Sequence, residues 1–181
     1  MRAVFAAASS PSMALFATVI ASIALGSGCR IDLDHAPPLP DAAFTSCQMS
    51  TSAPCMDAVT HSDLTWIQTN VFGKQCVFSG CHNGGNSDAG RHDLRTGHAF
   101  MHLVNVTSSL DSTRKLVVPG SSEQSYLQVM LGKIAPAMAT PPAGPIPAAV
   151  GLMPQDNGGN LLCCQKLDAI DRWITAGALD N

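Results

Sequence analysis

Basic residues are scarce in this chain: 10 Lys and Arg stand against 13 Asp and Glu, a formal net charge of -3 over 181 residues. With a sequence pI near 6.0, it lacks the excess of positive charge that neutralises a phosphate backbone, and nucleic-acid binding is set aside. Aromatic residues are few as well, 5% with a single Tyr, whereas Gly and Pro number 15 and 12. That balance implies long irregular connections around a modest helical framework, a core that a bound cofactor would help. No internal repeat is visible, and the length suits one core with extra segments at its ends. Cysteine runs the other way. Seven cysteines in a short chain are a liability in a reducing cytosol and ordinary in an oxidising compartment.

The beginning of the chain points to the same compartment. Arg2 precedes an apolar run from Met13 to Leu25, the length of a signal-peptide h-region and shorter than the roughly 18 to 20 residues of a membrane-spanning helix. Leu25, Gly26, Ser27 and Gly28 lead directly into Cys29, which resembles the lipobox of bacterial lipoproteins. That resemblance implies cleavage before Cys29, lipidation of its thiol and a membrane anchor. Ordinary secretion with cleavage nearby is the alternative. Either route takes the mature protein out of the cytoplasm, and the lipid anchor predicts a place in the cell envelope, facing the periplasm or the cell surface. The expected division is a signal peptide over 1–28, a polar, proline-broken linker over 29–56, and one domain over 57–181.

Within that domain, Val59, Leu64, Ile67 and Val71 recur at helical spacing between Asp57 and Lys74, predicting an amphipathic helix that runs into Cys76. A Gly and Asn turn over 83–86 follows, then a short helical segment around 98–106 and an extended stretch to Pro119. A second helix is predicted over 121–133, with a Ser cap, Glu123 in its first turn and Gly132 at its end. The last is expected to run from an Asn160 cap through Leu167, Ile170, Trp173 and Ile174 to Gly177. The expected fold class is therefore all-α, a small helical domain with long loops.

The chemistry-bearing motif is Cys76-x4-Cys81-His82, a lengthened relative of the C-x2-C-H haem attachment motif. Two thiols add across the vinyl groups of haem to give thioethers, and the histidine after the second thiol is held where its imidazole can bind the iron. A local disulfide between Cys76 and Cys81 with His82 at the surface is the bland alternative. Zinc is a weaker one, since no C-x2-C pair elsewhere completes a ligand set.

Cys81-His82 after a helix, Val118-Pro119-Gly120 followed by Ser125-Tyr126-Leu127, Met153-Pro154, and Trp173-Ile174-Thr175-Ala176-Gly177-Ala178 occur in this order. From about Asp63 to Ala178 the chain thereby resembles the cytochrome c-like haem domains of planctomycetes and myxobacteria. The resemblance implies one haem c on Cys76 and Cys81, with His82 as the proximal iron ligand and Met153 as the distal one. It also implies a one-electron carrier that serves a redox partner protein in the envelope and is no enzyme, because a bound methionine closes the distal position. Met138, His92, His98 and His102 remain rival ligands. Four cysteines are left over, Cys47, Cys55, Cys163 and Cys164, with three possible pairings. Bridges from the linker to the start of the last helix are expected, and a bond between the neighbours Cys163 and Cys164 is discounted. The competing reading of the whole chain is a haem-free, disulfide-stapled lipoprotein module with a structural or partner-binding role.

Overall fold

A computed structural model describes residues 47–78, 81–155 and 162–181. The signal peptide, Cys29, most of the linker and the Asn160 cap lie outside the described residues. Helices α1 (Ala53–Asp57), α2 (Leu64–Ile67), α3 (Gly73–Gln75), α4 (Ala99–Leu103), α5 (Tyr126–Met130) and α6 (Cys164–Thr175) occur in chain order. Tighter or wider turns join some of them: 3-10 turns at Ala58–Thr60 and Pro136–Met138, and a π turn at Gln68–Phe72.

This corrects the all-α expectation. Only 35% of the interpretable region is helical and 6% is strand. The segment between α4 and α5 is held by isolated β-bridges, Val104 with Val117, Thr107 with Lys115, Lys115 with Ser125 and Val118 with Ser121. β-branched residues contribute to most of these pairs, and such side chains fit a pleated backbone better than a helix. The expected helix over 121–133 shrinks to α5 for a related reason. Ser125 turns inward, its hydroxyl donating to the Ser121 carbonyl (2.7 Å) and accepting from the Val118 N–H (2.9 Å), so residues 118–125 form a turn and Glu123 lies outside the helix.

The helix expected from Asp57 to Lys74 is interrupted. Val59 is 48% exposed and does not belong to the apolar stripe, whereas Leu64, Ile67 and Val71 are fully buried. Asp63 starts α2, its Oδ1 accepting from the Trp66 N–H at 2.7 Å, an N-cap that satisfies one of the orphan donors. Two further N–H groups there donate to Asn181, Leu64 to its side-chain oxygen and Thr65 to its main-chain oxygen. The π turn needs Gly73. Its N–H bonds to the Gln68 carbonyl five residues back, and a Cβ there would lie 2.9 Å from that oxygen. The Gln68 side chain meanwhile accepts the Gly97 N–H at 2.8 Å.

α6 is the longest described helix and supplies much of the core. Leu167, Ile170, Trp173 and Ile174 lie on one face and are almost wholly buried, each burial being worth about 1.5–3 kcal/mol. The helix packs on α1, α2 and the turn between them. There Arg172 donates to the Ala58 and His61 carbonyls at 2.7 and 2.8 Å. Gly177, at φ 105, ends it in a Schellman motif, with Gly177 N–H bonded to Ile174 O and Ala178 N–H to Trp173 O. Two disulfides fix its start: Cys47 with Cys164 and Cys55 with Cys163. Of the three possible pairings two run both bridges from residues 47–55 to the head of α6, and this is the nested one, in which the first cysteine pairs with the last. No described helix is long and apolar enough to cross a membrane.

Candidate functional site

Phe72 from the π turn, Leu103 from α4, Leu116 from the bridged segment and Leu127 and Met130 from α5 converge on a cavity of about 230 Å³ with mainly apolar walls. Three of the four residues expected to hold haem line it: Cys76, His82 and Met153. Cys76 and His82 come from the connection between α3 and α4 and Met153 from a later loop, and each is fixed by the backbone. Cys76 follows α3, its N–H bonded to Phe72 O and its carbonyl accepting from the His82 N–H at 3.0 Å. The His82 carbonyl accepts in turn from the Leu94 N–H at 2.9 Å. Met153 is tied to α5 through its N–H and the Met130 carbonyl, 2.9 Å apart.

His82 is the best-organised of the three. Its Nδ1 lies 3.2 Å from the carbonyl oxygen of His92, which places the ring proton on Nδ1, with the Ala89 carbonyl a second acceptor beside the ring. Burial pushes this imidazole below the ordinary histidine range, outweighing the hydrogen bond to His92 that favours the charged form. A neutral ring with one nitrogen held is the state that ligates.

Burial also pushes the Cys76 thiol up to about 12, only partly offset by the nearby Lys166 ammonium. Lys166 donates to the Asn70 carbonyl and the Gln75 side chain at 3.1 and 3.2 Å, and its own pKa is lowered, chiefly by burial. Among the described residues Cys76 is a free thiol. Cys81 is disulfide-bonded and is not among the residues lining the cavity.

The rival ligands separate by position. Met138 is 71% exposed and lies away from the cavity, as do His98 and His102, whereas His92 lines it. The spacing of the chain did not single out His92 as the acceptor for His82. The sequence did hold a second constellation that went unread, Asp93, His98 and His102, and its signal is the His-x3-His spacing across a helix start.

The cavity thus brings together an oriented imidazole, a thioether and one thiol on mainly apolar walls, while the second cysteine of the motif, Cys81, is disulfide-bonded and outside it. Compared with family models, with curated proteins and with solved structures, the chain finds no match in any of the three.

Proposed function

We propose that this chain is a c-type cytochrome of the cell envelope, a one-electron carrier anchored through a lipid on Cys29 and serving a redox partner protein there. The observation that carries this reading is that Met153 lines one apolar cavity with Cys76 and His82, more than seventy residues before it, with the Nδ1 of His82 already engaged. When bound, the haem supplies a one-electron change at its iron. The chain's own residues do the rest. Cys76 and Cys81 would provide the sulfurs of attachment, His82 Nε2 and Met153 Sδ would hold the iron, and Phe72, Leu116 and Leu127 line the cavity that would keep water from it. A thioether donor favours the ferrous state relative to a second imidazole, which suits a carrier.

Attachment has an order imposed by the fold. A buried thiol pushed up to about 12 is almost entirely protonated and a poor nucleophile at neutral pH. Cys81 must also be released from its disulfide. Both conditions place haem addition before the chain closes, on a reduced and unfolded segment.

The test is expression with a haem-attachment system, followed by intact mass and a reduced-minus-oxidised visible spectrum. A mass gain of one haem with a sharp α band is expected. A mass showing only the protons lost to disulfides, with no band, overturns the cytochrome reading. The paired bridges at α6 favour the second reading in that event, a haem-free stapled lipoprotein module.

A further inference from the structure

Outside the cavity, Asp93, His98 and His102 bring one ligand atom each to within 4.8 Å of one another. The geometry points to a second metal site here, for a divalent ion of zinc type held by one carboxylate oxygen and two imidazoles. None of Cys76, Cys81, His82 or Met153 takes part.

The local fold explains why these three meet. His98 is the N-cap of α4 and His102 lies in its last turn, so the i, i+4 spacing puts both rings on one side of the helix. Asp93 approaches from the loop that carries the His82 ladder, and its Oδ2 lies 3.5 Å from His98 Nδ1. Bonds of about 2.0–2.1 Å to a tetrahedral ion put neighbouring ligand atoms roughly 3.3 Å apart, so this edge is already near the bound spacing. Two imidazoles with one carboxylate favour zinc and its neighbours over magnesium or calcium, which select oxygen donors.

Two features show that the carboxylate is presented. Arg95 grips it from one side, Nε to Oδ1 at 2.9 Å and Nη2 to Oδ2 at 2.7 Å. It orients the group as outer hydrogen bonds orient ligating carboxylates. A carboxylate has about four lone-pair sites; Arg95 also donates from Nε to Oδ2 at 3.1 Å and from its backbone N–H to Oδ1 at 3.0 Å, so an ion at Oδ2 takes up a position that one of these bonds now holds. Gly84, at φ 78, sits over the same group, where a Cβ would come within 2.9 Å of Oδ2. Asp93 is buried while the His98 side chain is 49% exposed, so an ion can reach the trio from solvent. The Arg95 charge weakens the affinity without blocking the site, and the remaining coordination position falls to water.

Zinc titration by calorimetry on the full, chelator-stripped chain tests this, with His98→Gln and His102→Gln variants alongside. Both histidines are surface-accessible, so neither substitution endangers folding, as circular dichroism of each variant would verify. We expect one zinc per chain in the wild type and at least tenfold weaker binding in each variant. A Cys76→Ser variant is expected to bind as the wild type does. Wild-type affinity in either histidine variant, or loss of binding in Cys76→Ser, overturns the assignment and moves the ion to other donors. No uptake at all by the wild type overturns it outright. The haem spectrum is read separately, so failure here leaves the cytochrome proposal standing.

Discussion

The carbonyl oxygen of His92 lies 3.2 Å from Nδ1 of His82, and this one contact decides which nitrogen of His82 faces outward. In the haem-loaded protein, His82→Ala is expected to retain the covalent haem, because thioethers and not the imidazole attach it. It should lose the six-coordinate, low-spin spectrum. Intact mass and the oxidised visible spectrum check both halves. A spectrum unchanged in the variant would transfer proximal ligation to His92, the other histidine on the cavity wall.

Met153 and Met138 are separated by the same logic. Met153 lines the cavity and packs against the core, whereas Met138 is exposed. Met153→Leu is therefore expected to abolish the thioether-to-iron band of the oxidised protein and to lower the potential, while Met138→Leu changes neither. The two variants preserve volume closely, so stability should move by less than about 1.5 kcal/mol in either.

Burial of Cys76 predicts its reactivity in the haem-free chain. With its pKa pushed up to about 12, against about 8.5 for a free thiol, its thiolate population at pH 8 is roughly a thousandfold below that of an exposed cysteine. Iodoacetamide should leave the native chain unlabelled and add one group in denaturant, read by mass. Rapid labelling of the native chain would mean that Cys76 is accessible and that attachment need not precede folding.

How much of this was written in the sequence differs by level. The apolar face of α6 was legible because Leu167, Ile170, Trp173 and Ile174 repeat at helical spacing over a twelve-residue helix. The extended stretch up to Pro119 accords with the bridges there, but the helix expected from 121 begins only at Tyr126, because the Ser125 hydroxyl offers the backbone partners that compete with a helix turn. Val59 matched the stripe by number, but the break at His61–Asp63 rotates it away. At the site, residue types were legible and partners were not. Cys76, Cys81, His82 and Met153 can be named from a motif, yet the His92 carbonyl that orients His82 is a main-chain atom that any residue would supply. Asp93 and His98 meet only because the loop between them folds back on α4.

The two bridges to α6 are expected to act non-additively. Either one alone closes a loop of more than a hundred residues, with separations of 117 and 108. Once it is formed, the other closes only a short ring through residues 47–55. On chain entropy, removing one bridge costs about 2–3 kcal/mol and removing both costs about 7 kcal/mol. Urea unfolding of Cys55→Ser/Cys163→Ser, Cys47→Ser/Cys164→Ser and the fourfold variant measures this. A fourfold loss equal to the sum of the two paired losses would show that the bridges stabilise the native state locally and not through the unfolded chain.

The Asp63 cap gives the fold a defined acid dependence. Its carboxyl lies below the usual carboxylate value. Partial burial works against this, but the hydrogen bonds from the Trp66 N–H and from His61 outweigh it. A carboxyl depressed in the folded state binds fewer protons there than in the unfolded chain, so unfolding free energy rises with pH across the window between the two values. The contribution is complete above about pH 4 and is lost as pH falls through the lowered folded value. Asp63→Ala should therefore cost about 0.5–2 kcal/mol at pH 7, the usual cost of losing an N-cap. That gap to the wild type should narrow in urea unfolding at pH 2.5, where the wild-type carboxyl is itself becoming protonated. An Asp63→Asn variant keeps an acceptor for the Trp66 N–H but carries no charge, so its stability should lie between the two and change less with pH than the wild type. If Asp63→Ala lags the wild type equally at both pH values, the carboxyl acts at α2 through packing, and its charge contributes nothing to the cap.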